Sequence, residues 1–452
     1  MRELVPSIAA ALTPLILLVI LLVGPTLGLV KWQPSLLWHT EFGAVGHGIT
    51  SKVTAISVDK TGLYTAGYLG TYSNVTGPSS YSFLNKFDFS GTQVWSQKPK
   101  DPVYGISPGV GGVYVAGPKN GSSAFVQKYD LDGSKIWAGQ INDLFVVPDS
   151  PISVGSAGVY VSGLGPLNPN QGSPNPLNLN QTYPVILAGY DFSGNALWTQ
   201  AVANVSFGGF GMVYAGSGGV YVSGSNDTGL GLFDTHAFVS KYDTGGALQW
   251  RRQFDEPGFA CWCGPKGISG DSSGIYILGR THNAFPGQSY GGFEDTFLRK
   301  YDLNGSVLWT TQFVAPNSLT ASPAQISVNQ SGVYLLIFVA SESVYPPDFV
   351  MKYDSSGNRM WSVRTEAFTA TALSVGENDV YVGGGLVSGP SLKAYAAAYS
   401  LSSSLIIFGV DPPVSFVIAG LLVGAGVVSV LWIRKGWKKK ARPIARNFAT
   451  IP

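Results

Sequence analysis

The chain has 452 residues, 45% of them hydrophobic, with 58 Gly and 28 Pro, enough for one large domain or two to three ordinary ones and far beyond a disulfide-stapled peptide. Charged residues make up 12% and aromatics another 12%, which is not the composition of a disordered chain. The formal charge is +2, yet outside the two ends 20 Lys and Arg face 25 Asp and Glu, and this mildly acidic body argues against nucleic acid as a partner.

In chain order, the first element is apolar from Val5 to Val30 apart from Ser7, Thr13 and Thr26, long enough to cross a bilayer core of about 30 Å. It reads as an N-terminal transmembrane helix or signal anchor over 5–30. The alternative is a cleaved signal peptide, but the stretch is long for one and no A-x-A site precedes Lys31. At the other end Val414–Ile433 is uncharged and predicts a C-terminal transmembrane helix over 412–433, with Trp432 and Trp437 at its expected interface. The basic cluster that follows, from Arg434 to Arg446, places the tail 434–452 in the cytoplasm by the positive-inside rule. Residues between the spans then lie on the extracytoplasmic side of the cell membrane. They carry N-x-[ST] tripeptides at Asn74, Asn120, Asn180, Asn204, Asn226, Asn304 and Asn329, candidate glycosylation acceptors that a Ser/Thr/Asn-rich chain also produces by chance.

Self-similarity dominates the middle. KFDFSGTQVW at 86–95 recurs as KYDLDGSKIW at 128–137, GYDFSGNALW at 189–198, KYDTGGALQW at 241–250, KYDLNGSVLW at 300–309 and KYDSSGNRMW at 352–361, with a worn copy, AYSLSSSLII, at 398–407. An alternating run rich in Val, Ile and Tyr precedes each copy, such as GVYVAG at 112–117 and GIYILG at 274–279, and alternation of this kind means strand. Shorter I-S-V-like runs stand before most of these, at Ile56–Val58, Ile152–Val154, Ile326–Val328 and Leu373–Val375. Each unit therefore reads as four strands, the last two joined by a D-x-x-G turn in which Asp binds backbone amides and Gly supplies a positive φ. A lone four-stranded meander cannot bury both faces, so the units must stack on one another. Trp-to-Trp steps from Trp38 average about 54 residues, near the length of a propeller blade. The expected fold is all-β, a seven-bladed β-propeller of four-stranded blades over 36–408, flanked by N- and C-terminal transmembrane helices.

The KYDLDGSKIW and GGVYVAG strings resemble the prokaryotic SBBP or quinoprotein-like (PQQ-like) β-propeller repeats. The resemblance covers about 36–408 and implies a fold; propellers host hydrolases, dehydrogenases, lectins and scaffolds alike. SLLWHTEF at 35–42 matches a Trp strand such as SVLWTTQF at 306–313 better than SLIIF at 404–408 does, so the N-terminal segment is expected to supply the outer strand that closes the ring. Connections between first and second and between third and fourth strands are uniformly short. The long insertions, Tyr68–Tyr81, Leu164–Pro184, Ser225–His236 and Arg280–Asp295, all join second to third strands and define a variable face.

That face holds the candidate binding residues: Trp262, Arg280, His282, Tyr290, Glu294 and Asp295. Cys261 and Cys263 flank Trp262 and read as structural, as a possible strained disulfide, or as two thiolates short of a metal set. Quinoprotein dehydrogenases carry an adjacent cysteine pair and calcium-binding acids that are not matched here, so no quinone is expected. Asp130-Leu131-Asp132-Gly133 and Asp302-Leu303-Asn304-Gly305 look like pieces of a calcium loop, but the turn explains them. His39, His47, His236 and His282 show no metal spacing, and no nucleophile elbow, phosphate loop or HExxH string occurs. The recurrent Trp and Tyr are expected to pack between repeats. No catalytic residues, metal or cofactor are assigned. The reading is an extracytoplasmic binding module for an envelope glycan, peptide or protein. The alternative is an enzyme using the central channel, either a quinone-dependent dehydrogenase or a carbohydrate-active one.

Overall fold

Val, Ile, Tyr and Thr alternate with small residues through the repeats, a pattern suited to a pleated surface packed on both sides, and the turns between them are built on Asp and Gly. In the computed structural model these runs are antiparallel strands. The structure describes residues 30–43, 49–71, 81–119, 123–146, 151–165, 183–205, 211–216, 218–227, 235–254, 264–291, 294–314, 320–340, 348–365, 369–388, 391–401 and 404–407. Two compact units are distinguished, one formed by Leu36–Leu401 and one by Met1–Ser35 with Ser402–Pro452. In the second unit the described strands are Val30–Gln33 and Ser404–Ile407, paired antiparallel. The worn copy's SLII thus pairs with the residues just after the first apolar segment, a pairing that repeat counting does not reveal. Residues 5–29 of the first expected transmembrane helix, all of the second and all of the basic tail lie outside the described residues, among which no helix is long and apolar enough to cross a membrane.

Within Leu36–Leu401 the described strands form successive four-stranded meanders. Meander I is Ile49–Asp59, Gly62–Thr71, Tyr81–Phe87 and Gln93–Gln97; II is Gly105–Gly109, Gly112–Lys119, Ser123–Tyr129 and Lys135–Asn142; III is Ile152–Val154, Val159–Leu164, Tyr183–Tyr190 and Ala196–Val205. IV is Met212–Gly216, Gly219–Asp227, Thr235–Tyr242 and Leu248–Phe254; V is Gly264–Asp271, Gly274–Thr281, Asp295–Tyr301 and Val307–Phe313; VI is Thr320–Asn329, Gly332–Ala340, Phe349–Tyr353 and Arg359–Arg364. VII takes Thr369–Val375, Asp379–Ser388 and Ser391–Ser400 from the end of the repeats, and its outer strand is Leu36–Phe42 from the beginning. That closure, with Trp38 opposite Ala398, is the one expected from the match of SLLWHTEF to a Trp strand. A single parallel bridge between Leu392 and Thr50 links VII to I.

Each apolar cluster lies between two consecutive meanders. Tyr64 and Leu84 of I meet Val113 and Phe125 of II, and the series continues to Val53 and Phe83 of I meeting Ala372 and Tyr381 of VII. First strands pack in the cyclic order I, II, III, IV, V, VI, VII and back to I. Val58 N donates to Ser374 Oγ at 3.2 Å, and Thr371 Oγ1 donates to Val53 O at 2.6 Å, across more than 300 residues of sequence.

One cross-strand row explains the repeat. In I, II, V and VI the register aligns Ser, Tyr, Lys and Trp from the first to the fourth strand, as in Ser107, Tyr114, Lys128 and Trp137. The row reaches the neighbouring meander at three points. Ser107 Oγ accepts Val154 N at 3.0 Å, Lys86 Nζ donates to Leu131 O at 3.2 Å, and Trp95 Nε1 donates to the same carbonyl at 2.9 Å. Trp38, Trp137, Trp198, Trp250 and Trp309 make the equivalent indole bond to the next D-x-x-G turn, at 2.9–3.1 Å. The indole face covers the turn glycine, so only Gly fits: Gly133 has φ +86°, and a Cβ there would lie 2.8 Å from the Trp95 ring. III replaces the lysine by Gly189, IV replaces the serine by Tyr214, and VII replaces the lysine by Ala398. A neutral hydrogen bond contributes about 1 kcal/mol, whereas burying a large apolar side chain contributes about 1.5–3 kcal/mol. The apolar clusters therefore hold the meanders together, and the polar row fixes their register.

Gly133→Ala is expected to lower unfolding stability by about 2 kcal/mol, because it combines a left-handed φ with a clash against Trp95. Gly139→Ala, whose Cβ meets only Val126 O at 3.9 Å, is expected to change it by about 0.5 kcal/mol or less. Denaturant midpoints of the two variants measure the difference.

Candidate functional site

Second-to-third and meander-to-meander connections lie at one end of the strands, first-to-second and third-to-fourth turns at the other. The short turns are capped by their own aspartates. Asp88 Oδ1 accepts Ser90 N and Thr92 N at 2.9 Å each, and Asp130 Oδ1 accepts Asp132 N at 3.0 Å and Ser134 N at 2.8 Å. The calcium-like fragments are thus turns whose carboxylates bind their own amides. Tyr399 pairs with Leu36, and Leu401 N donates to Asn378 O in a first-to-second turn, so both ends of this unit leave from the short-turn end.

At the long-loop end the connection from Thr281 to Asp295 in V is folded down by specific contacts. Thr281 Oγ1 accepts Asn283 N at 3.1 Å and starts a side-chain-capped turn. Phe285 is buried; its ring meets Phe297 edge-on at 5.1 Å and lies under the Arg299 guanidinium at 4.4 Å. The Gln312 amide, on the outer strand of V, is the hub of the loop. Its Oε1 accepts Phe285 N at 2.9 Å, and its Nε2 donates to Asn283 O at 3.1 Å and Asp295 Oδ2 at 2.8 Å.

This fold brings together five of the six candidate binding residues, and Trp262 lies outside the described residues along with Cys261 and Cys263. Arg280 Nη1 is 3.1 Å and His282 Nε2 3.5 Å from Glu294 Oε2, while Ser322 Oγ of VI donates to Glu294 Oε1 at 2.7 Å. Glu294 is therefore a clamp between V and VI. Asp295 is fully buried and binds Gly291 N at 3.0 Å as well as Gln312, so its role is to hold the loop. Tyr290 remains 40% exposed, and lost hydration together with the carboxylates of Asp295 and Glu294 pushes its phenol up. The result is a compact polar cluster, Arg280 and His282 gathered on Glu294, beside one accessible aromatic ring. An aromatic ring beside a charged cluster suits a ligand with polar groups and a flat apolar side.

Among the candidate glycosylation acceptors, Asn204 is exposed on the outer strand of III and Asn304 is exposed in the short turn of V. Asn329 Nδ2 donates to Gly376 O at 2.6 Å, so its amide joins VI to VII. The Asn226 backbone pairs with His236. Asn74, Asn120 and Asn180 lie outside the described residues.

No protein-family model and no curated protein matches the chain. Among solved structures it is similar to U3-55K, with 8% identity, 81% of this chain and 99% of that one covered, and a TM-score of 0.50. It is also similar to BamB from Moraxella catarrhalis, at 13% identity, 82% and 100% coverage and a TM-score of 0.46. The Dos1 propeller gives 11%, 82% and 95%, and 0.47. The fold is that of a β-propeller. Its blades are the four-stranded meanders, and likenesses at these identities speak to fold alone.

One further group at the long-loop end of this propeller was not legible as a site. Asp348, at the start of the third strand of VI, is fully buried; its O accepts Thr365 N at 2.9 Å within VI, and its Oδ2 accepts Ala370 N at 2.6 Å, tying VI to VII. Burial pushes its carboxyl up to about 7, against the opposing pull of the Ala370 amide and of Lys52. Burial in turn lowers Lys52, an effect that Asp348 offsets.

Between the ordinary carboxyl range and pH about 7 the native protein holds a proton at Asp348 that the unfolded chain has released, so stability falls as pH rises through that window. Asp348→Asn keeps an acceptor for Ala370 N and removes the titration. Thermal midpoints from pH 5 to 8 are expected to show the variant gaining on the native protein as pH rises. Glu294→Gln is expected to speed amide exchange across 281–291 several-fold while leaving exchange in II unchanged, measured by hydrogen exchange and mass spectrometry.

Proposed function

We propose that this chain is a membrane-anchored, extracytoplasmic seven-bladed β-propeller that binds an envelope glycan, peptide or protein through its long-loop face. The observation that carries the reading is the polarity of the fold. Leu36 and Tyr399 pair at the short-turn end, opposite the long loops, and this supports a reading in which the apolar segments that continue the chain anchor that end and leave the long loops free for binding. The blade number rests on the cyclic packing of the first strands and on the closure of VII by Leu36–Phe42. The binding role rests on the Arg280–Glu294–His282 patch with Tyr290 beside it, because loops held on a rigid scaffold are where recognition concentrates. Basic residues after Val414–Ile433 support a cytoplasmic tail.

The test is binding of the full-length protein in lipid nanodiscs to arrays of glycans and envelope peptides, with Arg280→Ala and Tyr290→Ala compared in parallel. A ligand whose affinity falls at least tenfold in both variants supports the reading. Ligands bound equally by both variants, or turnover of a bound carbohydrate, would contradict it.

A further inference from the structure

Each outer strand of the propeller contains the same irregularity. In I, Phe87 pairs with Gln93 and Lys86 with Trp95, which leaves Val94 between them without a partner in the ladder. The same extra residue stands before the Trp in every meander. A bulge at this point twists the free edge and discourages pairing with other edges, a purpose that any residue type serves. Yet the bulged residue is Leu37, Val94, Ile136, Leu197, Leu308 or Met360 in six meanders, and only IV departs, with Gln249. These six side chains are 51–59% exposed. Isolated exposed aliphatics are ordinary on protein surfaces, but six at one phase of a repeat form a pattern that core packing does not require.

All six lie a few residues beyond the short-turn end, the end at which the chain enters at Leu36 and leaves at Leu401. Only five residues separate Val30, the last of the apolar segment, from Leu36, and fully extended the stretch spans about 20 Å. On the other side twelve residues separate Leu401 from Val414. Tethers of this length hold the apolar rim close to any bilayer the two segments enter. We propose that the rim formed by these bulge residues rests in the interfacial layer of that bilayer, so that the propeller is seated on lipid rather than suspended above it. The inference rests on the anchored reading above. Lipid is favoured over a second copy because the rim and both ends of the Leu36–Leu401 unit share one end of the blades. The aspartates of the adjacent turns remain charged, held low in Asp88, Asp191, Asp302 and Asp354 mainly by hydrogen bonds from their own turns, so the contact is apolar and anionic lipid opposes it.

The test uses full-length protein in phosphatidylcholine nanodiscs, with Cys261→Ser and Cys263→Ser as background and a polarity-sensitive fluorophore placed through Ile136→Cys, Leu308→Cys or, as a control at the opposite face, Tyr290→Cys. Labels at 136 and 308 are expected to emit at shorter wavelength than the label at 290. Headgroup-nitroxide lipid should quench them, iodide should quench them at least threefold less, and the lipid quenching should weaken when phosphatidylglycerol is added. Iodide quenching equal to that at 290, in protein that resists carbonate extraction, would overturn the seating while leaving the anchoring intact. Carbonate extraction of the protein would overturn both. Labels shielded from iodide but untouched by nitroxide lipid would assign the rim to protein contact and overturn the lipid seating.

Discussion

The structure depends on a contact between neighbours: an indole of one meander covering the glycine, and bonding the carbonyl, of the next meander's turn. Each D-x-x-G turn is thus completed by the preceding repeat, as Trp95 completes the turn at Gly133 and Trp309 the turn at Gly357. Because Ser, Tyr, Lys and Trp stand in one row, a slip of one residue in any strand would break the row and send its side chains to the other neighbour. Burial supplies most of the stabilisation and the row selects the register, and this division explains why the row tolerates Gly189, Tyr214 and Ala398 while the buried apolar positions stay apolar.

The junction between VI and VII is built differently. Its Trp361 faces the worn copy, where AYSLSSS replaces the Asp and Gly of the turn, and among the described residues Leu401 packs against the apolar cluster that also holds Trp361. Other contacts tie VI to VII. Asn329 reaches Gly376 and Asp348 binds the Ala370 amide, beside the ordinary row contact in which Ser327 Oγ accepts Val375 N at 3.0 Å. Meander VII is also the one whose outer strand comes from the far end of the unit, so its loss of the turn and its closure by Leu36–Phe42 belong together.

Much of the fold was legible in the sequence because its determinants are local and repeated. Alternation marks strands, Asp and Gly mark turns, and Trp38 marks the closing strand. The expectation that Trp and Tyr pack between repeats is met by the apolar clusters, in which Tyr64 and Trp95 of I meet II and Tyr334 and Trp361 of VI meet VII, and by the indole bonds. The residue before each Trp was visible as part of an eight-residue spacing, but that it is a bulge follows from register, which spacing does not encode. Of the candidate site, Arg280, His282 and Glu294 were legible as a polar cluster in an insertion. Ser322 and Gln312 were not, since they arrive from another meander and another strand. That Asp295 also supports the loop follows from its place on the ladder opposite Thr281, which brings Oδ2 to Gly291 N and Gln312 Nε2. Asp348 is not legible in the sequence because a single Asp before a strand carries no signal until Ala370 of the next meander is beside it.

The most direct test of this account is whether the two ends of the repeat region share a meander. In a background lacking Cys261 and Cys263, Thr40→Cys with Ala396→Cys places two thiols at paired ladder positions 356 residues apart in sequence. The account predicts that this pair oxidises to a cross-link seen as faster migration under non-reducing electrophoresis, and that Ala396→Cys with Leu405→Cys does not. Cross-linking of the second pair and not the first would place Ser404–Ile407 in the closing position and contradict it.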